Sequence, residues 1–131
     1  MLRIPTNLSD DLETLIHRTI GCCVSIHRAL GPGLLESIYA RAVAIELSAQ
    51  GIAFEMEKSF TVVYRDQPLC HQRLDFVVAG QLVLEIKSVE HLDPVHRAQV
   101  LSYLRVSRLR AGLLINFNVP VLQDGVKRIV L

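Results

Sequence analysis

The stretch from position 73 to position 87, RLDFVVAGQLVLEIK, constrains the fold of this chain more than any other. It predicts two apolar strands joined by a tight turn at the central Ala-Gly pair. Side chains of a strand alternate between its two faces, so Glu85 and Lys87 are expected to share one face inside a hydrophobic run. Asp75 interrupts the preceding strand in the same way, and antiparallel pairing would bring it within reach of Glu85. Because burying charge without a partner or a metal is costly, these three groups need a joint explanation.

The residues alone leave two interpretations of this cluster open. In the first, Asp75, Glu85 and the backbone carbonyl of Ile86 supply oxygen ligands for Mg²⁺ or Mn²⁺. Lys87 then orients or deprotonates an attacking water and offsets negative charge on a phosphate. In the second, each acid only forms an ion pair at a sheet edge with the basic residue two positions away, Arg73 for the first strand and Lys87 for the second. The spacing does not decide between them, because short patterns of this kind also occur by chance.

Length and composition limit the class of protein. With 131 residues, half of them hydrophobic and 21% charged, the chain is expected to form one globular domain with a single core. A net charge of +1 predicts that any polyanion-binding patch is local. Three cysteines without C-x-x-C spacing argue for a reducing compartment and against a zinc knuckle or a disulfide scaffold. The sequence shows no signal segment or membrane-spanning run, so a soluble cytoplasmic protein without membrane contact is expected.

Hydrophobic periodicity predicts a mixed α/β (α+β) chain with the element order ααβββαββ. Residues 1–8 are expected to form a short leader. Gly31-Pro32-Gly33 ends the first helix, and Asp93-Pro94 begins the third. The predicted helices span about 10–30, 34–50 and 94–107, and the predicted strands span about 54–64, 69–78, 81–89, 111–116 and 126–131, with a turn at 65–68.

The third predicted helix carries a second set of polar residues. Gln99 and Tyr103 are four residues apart, so they lie on one face of that helix. The helix follows the strand of Glu85 and Lys87 and is expected to pack back against it. Gln99 is then a candidate to hold a metal-bound water or a phosphate oxygen, and Tyr103 a candidate to support Lys87 or a nucleic-acid backbone. The alternative is a half-buried tyrosine beside a solvated glutamine.

Glu36 is a third acidic candidate, in the first turn of the second predicted helix. A carboxylate there interacts favourably with the helix dipole, which is the simpler interpretation. The functional interpretation is that Glu36 converges on the metal through bound water. Tyr39 follows three residues later and is expected near the same face.

The motif Gly33-x-x-Glu36-x-x-Tyr39 is the one that names the GxxExxY proteins, which are small bacterial members of the PD-(D/E)XK nuclease superfamily. The chain resembles these proteins over nearly its whole length. Further matching segments, in the same order, are HRALGPG at 27–33, RLD at 73–75, LEIK at 84–87, QVLSYL at 99–104, GLLINFN at 112–118 and DGVKRI at 124–129. Several motifs in order are far more specific than any one of them.

The resemblance implies a restriction-endonuclease-like αβββαβ core with an extra N-terminal helix and a C-terminal strand. It also implies that Asp75 and Glu85 are the acidic metal ligands and that Lys87 is the catalytic lysine. One departure is that Leu74, and no proline, precedes Asp75. That proline is loosely held across the superfamily, so the departure puts little in doubt.

The same resemblance assigns the remaining candidates and a function. Glu36 corresponds to the helix-borne acid of the superfamily, while Gln99 and Tyr103 resemble the Q-x-x-x-Y element of exonuclease-like branches. The implied function is a nuclease that uses Mg²⁺ or Mn²⁺ to hydrolyse phosphodiester bonds of nucleic acid, with DNA expected before RNA.

Two other functions stay open at this point. One is a catalytically idle module that keeps the nuclease fold and binds nucleic acid or a protein partner. The small size of the chain favours it, because nothing beyond the core remains to grip a duplex. The other is a metal-dependent phosphoesterase acting on a small substrate. A homodimer is a further expectation, because the apolar terminal strand at 129–131 needs its edge covered.

Overall fold

The computed structural model describes residues 7–131 and has the predicted element order. Most of the expected leader at residues 1–8 lies outside the described residues. The helices are α1 (Asp10–Leu30), α2 (Glu36–Ala49) and α3 (Pro94–Ser107), the strands are β1 (Phe54–Tyr64), β2 (Gln67–Val78), β3 (Leu82–Lys87), β4 (Ala111–Asn116) and β5 (Val126–Val130), and a 3₁₀ helix covers Leu122–Gly125. No helix within residues 7–131 is long and apolar enough to cross a membrane.

The strands form one five-stranded sheet in the order β1-β2-β3-β4-β5. β3 and β4 are parallel and are connected through α3, whereas the other neighbouring pairs are antiparallel. This is the mixed α+β architecture of a restriction-endonuclease-like fold, so the predicted fold class is confirmed. The parallel pair places the end of β3, with Glu85 and Lys87, beside the end of β4.

Two hydrophobic clusters cover the two faces of the sheet, because successive strand side chains point to opposite sides. On β3, Leu84 packs towards α1 and α2, and Val83 packs towards α3. Gly112 of β4 allows α3 to approach closely, since a Cβ there would lie 2.8 Å from Val100 Cγ1. The larger cluster also contains Leu15, Ile16, Cys23, Tyr39, Val43, Leu47, Phe76 and Phe117, and the smaller one Leu74, Val77, Leu104, Leu114 and Ile129.

β1 and β2 extend beyond the rest of the sheet as a two-stranded arm. β3 pairs only with residues 76–78 of β2, whereas β1 pairs with β2 along nearly its whole length. The residues 58–64 and 67–74 therefore form the arm, which has no other strand neighbour. Gln72 Nε2 donates to Ser102 Oγ (3.1 Å), so α3 contacts one part of the arm. Val63 and Tyr64 near the arm's tip are more than half exposed.

The arm's turn is shorter than the four-residue turn expected at 65–68. Arg65 and Asp66 both have positive φ values, 49° and 65°, and make a two-residue turn between β1 and β2. This turn type matches the right-handed twist of the flanking strands. Pro68 consequently lies inside β2, next to a register shift between Val62 and Val63. An irregularity of this kind is where a strand tolerates proline, which has no N–H to donate.

Candidate active site

The backbone pairing between β2 and β3 ends at Phe76 and Leu84. Beyond this point, the side chains of Asp75 and Glu85 make the hydrogen bonds between the two strands. The Asp75 backbone N–H donates to Glu85 Oε1 (2.9 Å). The Ile86 backbone N–H donates to Asp75 Oδ2 (2.9 Å). Each carboxylate is thus anchored to the backbone of the opposite strand. The two acids lie side by side in the gap where the strands separate.

Burial dominates the electrostatics of this pair. Only 4% of Glu85 is exposed, and this burial, together with the negative charge of Asp75, raises the pKa of Glu85 to about 8. The Asp75 backbone N–H and the Lys87 ammonium oppose the increase, and both are weaker than burial. In the absence of a cation, Glu85 is therefore mostly protonated at neutral pH. A bound cation would take the place of that proton.

Lys87 and Glu36 complete the charged part of the site. Partial burial raises the pKa of Glu36, the positive charge of Lys87 opposes that rise, and Asp75 adds to it. The Lys87 ammonium also lowers the pKa of Glu85, so it acts on acids from β3 and from α2. Glu36 is the first residue of α2, which places its carboxylate at the helix N-terminus, where it is exposed but near enough to Lys87 and Asp75 for their charges to act on it.

Residues 7–131 contain neither of the ion pairs that formed the alternative interpretation of this cluster. No salt bridge links Glu85 to Lys87 or Asp75 to its neighbour on β2. Arg73 instead lies 3.8 Å from Glu57, with both side chains largely exposed. The buried carboxylates are consequently held by backbone N–H groups and are not neutralised by a direct ion pair.

α3 lines the site with Tyr103. Burial raises the pKa of the Tyr103 phenol, and the charges of Glu85 and Asp75 raise it further, so the hydroxyl stays protonated and able to donate. Gln99 lies one turn earlier on α3 and is exposed, and its side chain makes no hydrogen bond to any residue between 7 and 131. The structure therefore brings the tyrosine to the carboxylate pair and leaves the glutamine in solvent.

His96 is a histidine near the site whose role sequence reasoning did not assign. Its side chain completes the cap of α3, because the Asp93 backbone N–H donates to His96 Nδ1 (3.0 Å). That bond leaves the proton of the neutral ring on Nε2. His96 and Tyr103 are seven residues apart, or about two helical turns, so they share a face of α3. The position of His96 three residues after the N-cap residue Asp93 is the sequence signal for its role in the cap of α3.

Tyr39 does not lie beside Glu36 as expected. It is fully buried, with its ring stacked on Phe117 at a centroid distance of 4.5 Å and an interplanar angle of 11°. Its hydroxyl donates to the Gly31 carbonyl (2.5 Å). The side chain turns into the core because its large ring gains more from burial than from exposure at the site.

The donor set of the gap suits a hard divalent cation. One oxygen of Asp75 and one of Glu85 accept backbone N–H groups, and the two side chains also share a hydrogen bond when Glu85 is protonated. The N–H and C=O of one strand residue point to the same side, so the Ile86 carbonyl also faces the gap. Oxygen ligands of this kind are those that Mg²⁺ and Mn²⁺ prefer. Within the described part of the chain, no three His, Cys, Asp or Glu residues lie close enough together to hold a metal ion directly.

Comparison with known proteins identifies the family. The model of the PD-(D/E)XK nuclease superfamily matches residues 13–129. Searches of curated proteins and of solved structures gave no match. The family match covers all elements that form the gap, from α2 to β4. Because it also spans most of the chain, the protein belongs to the PD-(D/E)XK nuclease superfamily.

Proposed function

We propose that the protein is a nuclease that uses a divalent cation, Mg²⁺ or Mn²⁺, to hydrolyse phosphodiester bonds of nucleic acid. The observation that carries the proposal is the reciprocal anchoring of Asp75 and Glu85 to each other's strand. It holds two carboxylates together in a buried gap, where their mutual repulsion costs free energy unless a proton or a cation is present. Membership of a nuclease superfamily supports the same reaction.

In this proposal Asp75, Glu85 and the Ile86 carbonyl hold the cation, and Glu36 contacts it through bound water. When bound, the cation supplies a Lewis acid that polarises the phosphate and lowers the pKa of a coordinated water. Lys87, whose charge acts on the acids of both β3 and α2, orients the attacking water and offsets negative charge that develops on the phosphate.

α3 supplies hydrogen-bond donors to the substrate. The Tyr103 hydroxyl stays protonated beside the carboxylate pair, so it can donate to a phosphate oxygen or support the Lys87 ammonium. Gln99 is exposed one turn away on the same helix, where it can contact a nucleic-acid backbone that passes over α3. These contacts position the substrate without reading its bases.

We also propose that the chain is one of the GxxExxY proteins within the superfamily. The support is the distinct environment of each motif residue. Gly33 has a φ of 102°, which favours glycine, Glu36 begins α2 at the site, and Tyr39 is buried beneath it.

The proposed activity predicts cleavage by the purified wild-type protein in Mn²⁺ or Mg²⁺ and none in EDTA. Asp75→Asn and Lys87→Ala should each lower the rate by at least about 10²-fold, because each removes charge from the reacting centre. Matched controls are Glu90→Gln and Lys127→Ala, which alter exposed residues and should keep wild-type rates. Circular dichroism of every variant should match the wild type.

The substrate panel separates the alternatives. It contains plasmid DNA, single-stranded DNA, RNA and bis-p-nitrophenyl phosphate, assayed at equal metal concentrations. If the protein binds nucleic acid and cuts nothing, the idle module replaces the nuclease. If it cuts only the small diester, it is a phosphoesterase for a small substrate. The same panel tests the expected preference for DNA, and light scattering tests the expected homodimer.

A further inference from the structure

The loop at residues 31–35 connects α1 to α2 and leads directly into Glu36. Two side chains fasten it. The Tyr39 hydroxyl donates to the Gly31 carbonyl (2.5 Å) and accepts the Leu34 backbone N–H (3.2 Å). The Ser88 hydroxyl donates to the Leu34 carbonyl (2.6 Å). The loop is therefore fixed at its beginning and next to its end.

Both fastening side chains are themselves tied to the end of β3. Ser88 directly follows Lys87 in the chain. The ring of Tyr39 stacks on Phe117, whose backbone N–H donates to the Lys87 carbonyl (2.9 Å). Two short paths thus connect the loop before Glu36 with the residue that carries the site's ammonium group.

The loop needs such fastening because two of its five residues are glycine, although Pro32 between them has a fixed φ. Gly31 and Gly33 have φ values of 69° and 102°, and a Cβ at either would touch nothing within 4 Å. Glycine loses more conformational freedom on ordering than any other residue. Without the hydroxyl contacts, the loop would sample more conformations, and the carboxylate of Glu36 would move with it.

The phenol is not required for packing. Tyr39 is fully buried among apolar residues, and phenylalanine would occupy the same volume and keep the stack on Phe117. The Tyr39 hydroxyl is used only on the loop, with one bond donated and one accepted. The effect of the hydroxyl is therefore on the geometry of the loop.

We propose that the hydroxyl groups of Tyr39 and Ser88 are positioning groups that hold Glu36 at a fixed place relative to Lys87 and the Asp75–Glu85 pair. This inference rests on the proposed function, because Glu36 matters only if the site is catalytic. A displacement of about 1 Å in a reacting centre costs up to about 10²-fold in rate. The two hydroxyls thus act on the reaction through Glu36 and do not contact the substrate.

The test compares Tyr39→Phe and Ser88→Ala with the wild type in the metal-dependent cleavage assay. Each variant should lower kcat by about 10-fold or more and leave KM unchanged. In a Glu36→Gln background, Tyr39→Phe should have no additional effect, because the group that it positions is already absent. Tyr64→Phe is the matched control, since that tyrosine is 65% exposed on the arm and should behave as wild type.

A second readout does not depend on activity. Hydrogen exchange at the Leu34 amide should become faster in Tyr39→Phe, while exchange in β4 stays unchanged. A wild-type kcat in both variants, or an equal effect of Tyr39→Phe with and without Glu36, would overturn the inference. If the wild-type protein cuts no substrate, the proposed function fails first, and unchanged exchange at Leu34 would then refute the fastening separately.

Discussion

Replacing Glu85 with glutamine is expected to abolish metal-dependent cleavage and to stabilise the metal-free protein. Glutamine keeps the shape of the side chain, and its carbonyl oxygen can still accept the Asp75 backbone N–H. Its amide is neutral at every pH, so folding does not require it to take up a proton, and it lacks the negative charge that a cation needs. We expect a loss of at least about 10³-fold in cleavage rate. Calorimetry with Mn²⁺ should show a matching loss of binding.

The control for this variant is Glu90→Gln, which makes the same chemical change at an exposed position after β3. It should leave the cleavage rate, Mn²⁺ affinity and thermal stability at wild-type values. Wild-type cleavage by Glu85→Gln would contradict the proposed role of the carboxylate. Lost cleavage with a lowered Tm would instead indicate that the substitution damages the fold.

The stability of the metal-free wild-type protein should fall as the pH rises from about 5 to about 9. Burial and the negative charge of Asp75 raise the pKa of Glu85 in the folded protein to about 8, from an ordinary glutamate pKa of 4.5. Between these values the folded protein holds a proton that the unfolded chain has released, so raising the pH favours unfolding. In EDTA, the Tm difference between Glu85→Gln and wild type should be smallest below about pH 4.5 and reach about 5–10 °C above pH 8. If the Tm of Glu85→Gln and the Tm of the wild type change equally with pH, the proposed protonation of Glu85 is wrong.

Gly125→Ala is expected to destabilise the protein by about 3 kcal/mol, or roughly 10 °C in Tm. Gly125 is buried at the end of the 3₁₀ helix, and an added Cβ would overlap the carbonyl oxygen of Asn116. That backbone atom cannot move alone, because the Asn116 side chain is bonded to the Val89 backbone twice. Asn116 Oδ1 accepts the Val89 N–H (3.0 Å), and Asn116 Nδ2 donates to the Val89 carbonyl (2.9 Å). The strain therefore passes to the segment just after Lys87.

Gly21→Ala is the matched control for this substitution. Gly21 lies in the middle of α1, and a Cβ there would have no atom within 4 Å. Alanine should stabilise the helix by about 0.5–1 kcal/mol, because it restricts the unfolded chain and favours helix. If both glycine variants change Tm by similar amounts and in the same direction, the predicted overlap at Asn116 is wrong.

The helices and strands were accessible from the sequence because each buries one face of regular period. The β2–β3 hairpin illustrates this, since its alternating apolar residues and its Ala79-Gly80 turn fix both strands. The side-by-side placement of Asp75 and Glu85 followed from the same alternation. Local patterns of this kind determine which residues meet across one hairpin.

Features that depend on three-dimensional packing were not accessible in this way. The spacing of Glu36 and Tyr39 suggested a common face, but the ring of Tyr39 is buried in the core beneath α2. The anchoring of each carboxylate by a backbone N–H exists only because β2 and β3 separate at that point. The role of His96 could not be predicted because its hydrogen bond to the Asp93 backbone exists only in the folded helix cap.

Because β2 extends into the arm, its two parts differ in how readily they open. Residues 76–78 have strand neighbours on both sides and should open only when the whole domain unfolds. Residues 67–71 are exposed, have a strand neighbour on one side only and can fray without exposing the core, whereas Leu74 is buried in the smaller cluster. Asp75 lies between Leu74 and the three central residues. Its carboxylate is therefore held on a rigid support at the foot of a segment that is free to bend away from it.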